Sequence, residues 1–299
     1  MKKLKIILLF SFAVLFSPFL HAQYWNAADV TPVVNGNDTS SIDWTEQYVE
    51  AKGWSVIDTT RFPNYAQAML MARRGAIVVA QRNLLEIIKG VRVVGETTVE
   101  NMITTSDYVY SRVDGVIKGA EMVGEPRDMG GYIEVTMRVP LYEPNGVAAA
   151  VHSGLNRQTN ALRGTATAQE LATLPNMAFN ISSGKNEAPN GNGNNQENNV
   201  VPADELPLFP VIVDENGNVL LDLSEYYDPN LGNFPQYLQL GRDVMEQLNL
   251  QQGVSVIDMV LNRPGQLQVN TGSNDRLQKW FGILKKVANI GQYVNMFVN

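Results

Sequence analysis

The chain of 299 residues contains no cysteine. Disulfide scaffolds, thiolate zinc sites, iron–sulfur clusters, cysteine nucleophiles and the acyl-cysteine anchor of a bacterial lipoprotein are therefore excluded. Histidine is almost as scarce, with only His21 and His152. Charged residues make up 18% and aromatic residues 8%. Basic side chains are outnumbered 23 to 30, giving a formal charge of -7. Nucleic acid is not an expected partner, because nonspecific binding to it rests on clustered Lys and Arg neutralising phosphates. Apolar residues, in contrast, make up 44%, enough for one large or two modest cores.

The long apolar run lies at the start. Met1 to Lys5 is a basic segment, Ile6 to Leu20 is apolar apart from Ser11, Ser17 and Pro18, and Leu20-His21-Ala22 ends on a small residue. This pattern predicts a signal peptide over residues 1–22, cleaved after Ala22 to leave Gln23 as the mature start. The run is shorter than the roughly 20 residues of a spanning helix, and no other segment approaches that length. The expected product is periplasmic or secreted, with no transmembrane segment and no lipid anchor. Loss of the three leader lysines lowers 23 basic side chains to 20 against 30 acidic ones, a net charge of -10.

Composition changes sharply over 182–204, where Ser, Gly, Asn, Glu and Gln leave almost nothing apolar. Such a segment cannot bury enough surface to offset its ordering entropy, so it reads as a flexible linker. It separates an N-terminal unit of about residues 43–150 from a C-terminal unit of 206–299. Residues 151–181 read as weakly ordered, with a short helix from Ala168 stopped before Pro175.

In the first unit, Gln47 to Ala51 and Trp54 to Thr59 read as extended, and Pro63-Asn64 signals a helix start. Tyr65, Met69, Ala72, Ala76, Val79, Ala80, Leu84 and Ile87 recur at spacings of three and four, predicting a helix from Tyr65 to Lys89 that stops at Gly90. Val91 to Val94, Tyr108 to Val113, Val116 to Val123 and Tyr132 to Val139 read as strands. The last alternates Ile133, Val135, Met137 and Val139 with Tyr132, Glu134, Thr136 and Arg138, as a half-buried antiparallel strand requires. In the second unit, Val211 to Val213 and Val219 to Leu221 flank Asn216-Gly217, a hairpin signal. A helix over Pro235 to Leu248, strands over Val254 to Leu261 and Gln266 to Asn270, and an amphipathic helix from Asn274 to Ile290 complete it. The expected fold is α+β in two small domains, the first a long helix packed on an antiparallel sheet.

The chemistry menu is short. After cleavage the chain keeps His152 alone, with no Gly-x-Ser-x-Gly elbow to present a nucleophile. Paired carboxylates could hydrolyse a glycosidic bond, but the clusters Glu121, Glu125 and Asp128, and Asp43, Glu46 and Glu50, are better explained as solvated acids, and nothing here selects an enzyme. Asp214, Asn216, Asn218, Asp222 and Glu225 occupy oxygen-ligand positions of a calcium loop, but Val219 stands where glycine is needed, so a plain hairpin is favoured. Neither a metal nor a cofactor is expected.

The assembled residues from Tyr48 to Leu141 resemble the small outer-membrane lipoprotein domain family that includes the flagellar proteins FlgP and FlgT. The resemblance rests on four stretches. They are Tyr48-Val49-Glu50-Ala51-Lys52-Gly53-Trp54, the Ala-rich helix with Ala72-Arg73-Arg74-Gly75-Ala76 ending in Asn83 to Val91, Val113-Asp114-Gly115-Val116-Ile117-Lys118-Gly119-Ala120, and Gly131 to Leu141. It implies a non-enzymatic subunit of the bacterial cell envelope, with relatives that assemble into rings around the flagellar basal body. It also implies a homo-oligomer among other envelope proteins, although the absence of a lipidation cysteine departs from many family members.

The predicted self-association surface is the outer face of the helix, Gln67, Arg74, Gln81 and Glu86, with an edge strand carrying Tyr132, Glu134, Thr136 and Arg138. A binding module for peptidoglycan, polysaccharide or a partner protein is the alternative. It would expose aromatic side chains on one face, and Trp44, Trp54, Tyr108, Tyr110 and Tyr132 are the candidates.

Overall fold

The computed structural model describes residues 30–155, 161–183, 201–240, 253–272 and 274–298. The predicted leader over residues 1–22 and most of the predicted linker lie outside them. In chain order the N-terminal elements are β1 (Val30–Thr31), β2 (Val34–Gly36), β3 (Ser40–Asp43), β4 (Tyr48–Val56) and α1 (Tyr65–Lys89). They are followed by β5 (Arg92–Val94), β6 (Thr97–Thr98), α2 (Val99–Thr105), α3 (Asp107–Lys118), β7 (Glu121–Met122), β8 (Arg127–Asp128), β9 (Tyr132–Pro140) and α4 (Val147–His152). Then come α5 (Ala168–Leu171), β10 (Asn176–Ser183), β11 (Val211–Val213), β12 (Val219–Asp222) and β13 (Tyr237–Leu240). The chain closes with β14 (Val254–Arg263), β15 (Gln266–Val269), α6 (Asp275–Leu284) and β16 (Val294–Val298). The architecture is α+β, as the sequence predicts.

The helix α1 has the predicted bounds. Asn64 caps it by accepting from the Gln67 amide at 3.2 Å, satisfying a donor that has no partner within the helix. Its buried residues Ala68, Ala72, Ala76, Ala80, Leu84 and Ile88 recur every four positions. They lie against a six-stranded antiparallel sheet in the order β2-β3-β4-β9-β7, with β8 also paired to β9. The central pair β4 and β9 runs in unbroken register from Tyr48 opposite Pro140 to Val56 opposite Tyr132. Alternation then sorts the residues. Val49, Ala51, Ile133, Val135, Met137 and Val139 are buried beneath the helix, each contributing about 1 to 3 kcal/mol according to size.

The second sheet has eight strands in the order β1-β13-β16-β10-β14-β15-β11-β12. Its centre is parallel, with β10 between β14 and β16, and it is flanked by antiparallel pairs such as β11 with β12. The side chains of α6 pack on it as the amphipathic pattern predicts, with Phe281 6.3 Å from Phe179 between ring centroids.

Three expectations are corrected. Residues 107–118 form α3 and not strands: Ser106 caps the helix by accepting from the Val109 amide at 3.3 Å, and Val109, Val113 and Ile117 share its buried face. The β-branched and aromatic content of this stretch suits a strand locally, but the packed face follows the helical spacing. Residues 237–240, expected to be helical, form β13, where Tyr237, Leu238 and Leu240 are buried between β1 and β16. Residues 241–248 of that expected helix lie outside the described residues. The supposedly weak segment before residue 182 contains β10, so Ser182 and Ser183 end a central strand rather than begin a linker.

The two sheets also share one continuous set of buried side chains. The Leu208 and Phe209 amides donate to the Arg92 and Val93 carbonyls at 2.8 and 2.9 Å. Trp44, fully buried, donates from its indole to the Ala203 carbonyl at 3.0 Å. Tyr142, Phe209, Tyr227 and Phe234 form an aromatic cluster in which Tyr142 stacks on Phe234 at 4.7 Å. The Tyr142, Tyr237 and Tyr227 hydroxyls donate to the carbonyls of Leu208, Pro207 and Tyr142. Among the described residues, no helix is long and apolar enough to cross a membrane.

Candidate functional site

One face of the β4–β9 pair is covered by α1, and the other carries the remaining half of the alternation. On it stand Tyr48, Glu50, Lys52, Trp54 and Val56 from β4, opposite Pro140, Arg138, Thr136, Glu134 and Tyr132 from β9. Trp54 is 46% exposed and Val56 69%. Their direct partners are Glu134 and Tyr132, so Trp54 and Tyr132 are diagonal neighbours on one surface, within reach for such long side chains. Large apolar groups grouped this way on a sheet face lose their contact with water only when something docks on them.

The polar part of the face is built from fixed pairs. Arg138 Nε donates to Glu50 Oε1 at 2.7 Å, and the guanidinium lies 3.8 Å from the centre of the Tyr48 ring. Burial, followed by the neighbouring Asp43 and Glu50 carboxylates, raises the Tyr48 phenol above its ordinary pKa. Farther along, Arg127 pairs with Glu134 across β8 and β9. Acids and bases are thus interspersed along the strands, with Glu50 and Glu134 set among Lys52, Arg127 and Arg138.

Beyond Tyr48 and Arg138 the sheet ends in a cleft of about 540 Å³. Arg112 and Gly115 of α3, with Gly119 just past its end, form one wall, and the turn from Glu143 to Gly146 forms another. Glu46 and Glu121, members of the two acidic clusters visible in the sequence, come together here with Glu143.

His152 is half-buried at the end of α4. Its Nε2 lies 2.9 Å from the Ser224 carbonyl, which can only accept, so Nε2 carries the proton. The ring packs edge-on against Phe209 and Tyr227. The calcium-like loop is a turn that satisfies itself: Asp214 accepts from the Asn216 and Asn218 amides and the Asn218 side chain, which holds its carboxyl below the usual range. Glu215 accepts from Thr271 and Gly272.

The predicted self-association residues separate into two groups. Tyr132, Glu134, Thr136 and Arg138 share the open sheet face, but β9 is not an edge strand. It bonds to β4 on one side and to β7 and β8 on the other, because the chain returns after α3 to cover the flank that the sequence leaves open. The helix residues face elsewhere. Gln67 and Arg74 are exposed, Gln81 donates to the Ile117 carbonyl of α3 at 3.3 Å, and Glu86 pairs with Lys89. Of the aromatic candidates, Trp54 and Tyr132 share the face, Tyr108 and Tyr110 stand on α3, and Trp44 is internal.

Lys52, Val56 and Arg127 belong to the face and were not singled out from sequence. The signal was the alternation of β4, which continues through Gly53 instead of breaking there. No protein-family model matches the chain, and no curated protein sequence matches it.

Proposed function

We propose that the protein is an exported, non-enzymatic assembly subunit of the bacterial cell envelope, and that it works by presenting the open face of its six-stranded sheet to a second copy. The exposed Trp54, Val56 and Tyr132 carry this reading. Most of the charge beside them is already paired within the face, Arg138 with Glu50 and Arg127 with Glu134, so an identical face can approach without strong like-charge repulsion. The leader-like N-terminus supports export to the periplasm or beyond. The resemblance of Tyr48 to Leu141 to the FlgP and FlgT family supports an envelope ring, flagellar or otherwise, as the setting.

Trp54 and Tyr132 on one face also favour a second reading, a module that stacks on the sugar rings of peptidoglycan or another polysaccharide. Sedimentation velocity separates the two. The wild-type protein should self-associate at about 100 μM, and the exposed double substitution Trp54→Ala with Tyr132→Ala should weaken association at least about tenfold. A wild-type monomer that co-sediments with peptidoglycan would select the second reading. Glycoside turnover lost in both Glu46→Gln and Glu121→Gln would overturn the non-catalytic assignment. Mature protein from a periplasmic or secreted fraction should begin at Gln23.

A further inference from the structure

The helix α1 has two apolar stripes. The inner one, Ala68, Ala72, Ala76 and Ala80, is buried on the sheet. The outer one consists of larger side chains, Leu70, Met71 and Val78, of which Leu70 is 61% and Val78 56% exposed. At 100° per residue these three share a face with Arg74, and Arg73 and Arg82 flank it on either side. A helix that turns alanine inward and leucine, methionine and valine outward inverts the usual order of burial.

The charge on this face is equally one-sided. Residues 65–85 contain three arginines and no acidic residue, in a chain whose formal charge is -7. Arg73, Arg74 and Arg82 are exposed and form no ion pair with any described residue. The acids nearest the start of the helix are already engaged. Asp58 accepts from the Thr60 and Arg61 amides, and Asp128 from the Tyr65 hydroxyl.

A two-fold contact between copies through this face would set the arginines against their own counterparts, so a second copy is a poor occupant. An anionic bilayer supplies what the face lacks: phosphates for the guanidinium groups and an apolar boundary for the side chains between them. We infer that the outer face of α1 seats on an anionic lipid surface, with Leu70, Met71 and Val78 entering the interface and Arg73, Arg74 and Arg82 pairing with headgroup phosphates. This contact uses the face of the helix–sheet layer opposite to the one assigned to self-association, and it stands or falls separately.

The test is vesicle co-sedimentation of protein purified from expressing cells, its N-terminus identified by mass. Binding is expected to vesicles of phosphatidylcholine with about 40% phosphatidylglycerol and not to pure phosphatidylcholine, and to weaken at least about tenfold on raising salt from about 50 to 300 mM. The triple variants Arg73→Gln, Arg74→Gln, Arg82→Gln and Leu70→Ser, Met71→Ser, Val78→Ser should each lose binding about tenfold or more while melting like the wild type. The Trp54→Ala, Tyr132→Ala variant should bind vesicles normally, whatever it does to self-association. Equal binding to both vesicle types, or wild-type binding by both triple variants, would overturn the inference. So would triple variants that abolish self-association and leave lipid binding intact, since the occupant of the face would then be a second copy.

Discussion

Replacing Gly53 by alanine is expected to destabilise the protein by about 3 kcal/mol. At this position β4 and α1 approach more closely than a methyl group allows. A Cβ on Gly53 would lie 2.1 Å from the Ala76 carbonyl oxygen and 2.3 Å from the Ala80 nitrogen. Both are backbone atoms inside a 25-residue helix, so relief requires the whole helix to lift from the sheet and forfeit its alanine contacts. Gly115 provides the contrasting control. It sits within α3, and an added Cβ there would meet nothing within 4 Å. Gly115→Ala should therefore stabilise by about 1 kcal/mol through helix propensity alone. Urea midpoints measure both changes. A Gly53→Ala protein within about 0.5 kcal/mol of wild type would show that helix and sheet stand farther apart than described.

Alkaline pH should unfold the protein steeply. The hydroxyls of Tyr142, Tyr227 and Tyr237 are buried where the two sheets meet, and desolvation raises all three phenols above the ordinary tyrosine value of 10.0. For Tyr227 the Asp228 carboxylate adds to the rise, and Arg112 opposes it. Above pH 10 the unfolded chain loses these protons while the folded protein keeps them. Stability is thus fully present below pH 10 and declines as pH climbs toward the folded values, by up to about 4 kcal/mol per pH unit for three groups acting together. Urea titrations between pH 8 and about 11.5 report the slope. Tyr237→Phe should lower stability near neutrality, because the Pro207 carbonyl loses its donor. The same change should make the alkaline decline shallower, and an unchanged slope would remove Tyr237 from the set.

How far local patterns reach is visible element by element. The spacing of α1 and the alternation of β9 are complete signals, and the Asp214–Asn218 turn carries its own hydrogen-bond partners. The α3 segment held the right signal, Ser106 followed by Val109, Val113 and Ile117, beneath a competing strand-like composition. No such signal existed for β10. Met177, Ala178, Phe179 and Ile181 are all buried, because a strand covered on both faces need not alternate. For the candidate site, the β9 residues of the open face were identified, but their edge position was not real. The return of β7 and β8 beside them is a long-range event.

Helix and strand periods follow from the geometry of a few consecutive residues, and so do turn and cap chemistry, which is why α1, β9 and the β11–β12 hairpin can be read locally. The seating of β10 between β14 and β16 pairs Asn176 with Val254 and Met177 with Val294. That choice of neighbours was made by side-chain fit on both sides of a sheet and by backbone bonds between distant segments. Folding likewise decided how deeply α1 settles on the strands, because the close approach of its backbone at Ala76 and Ala80 to Gly53 joins segments far apart in the chain.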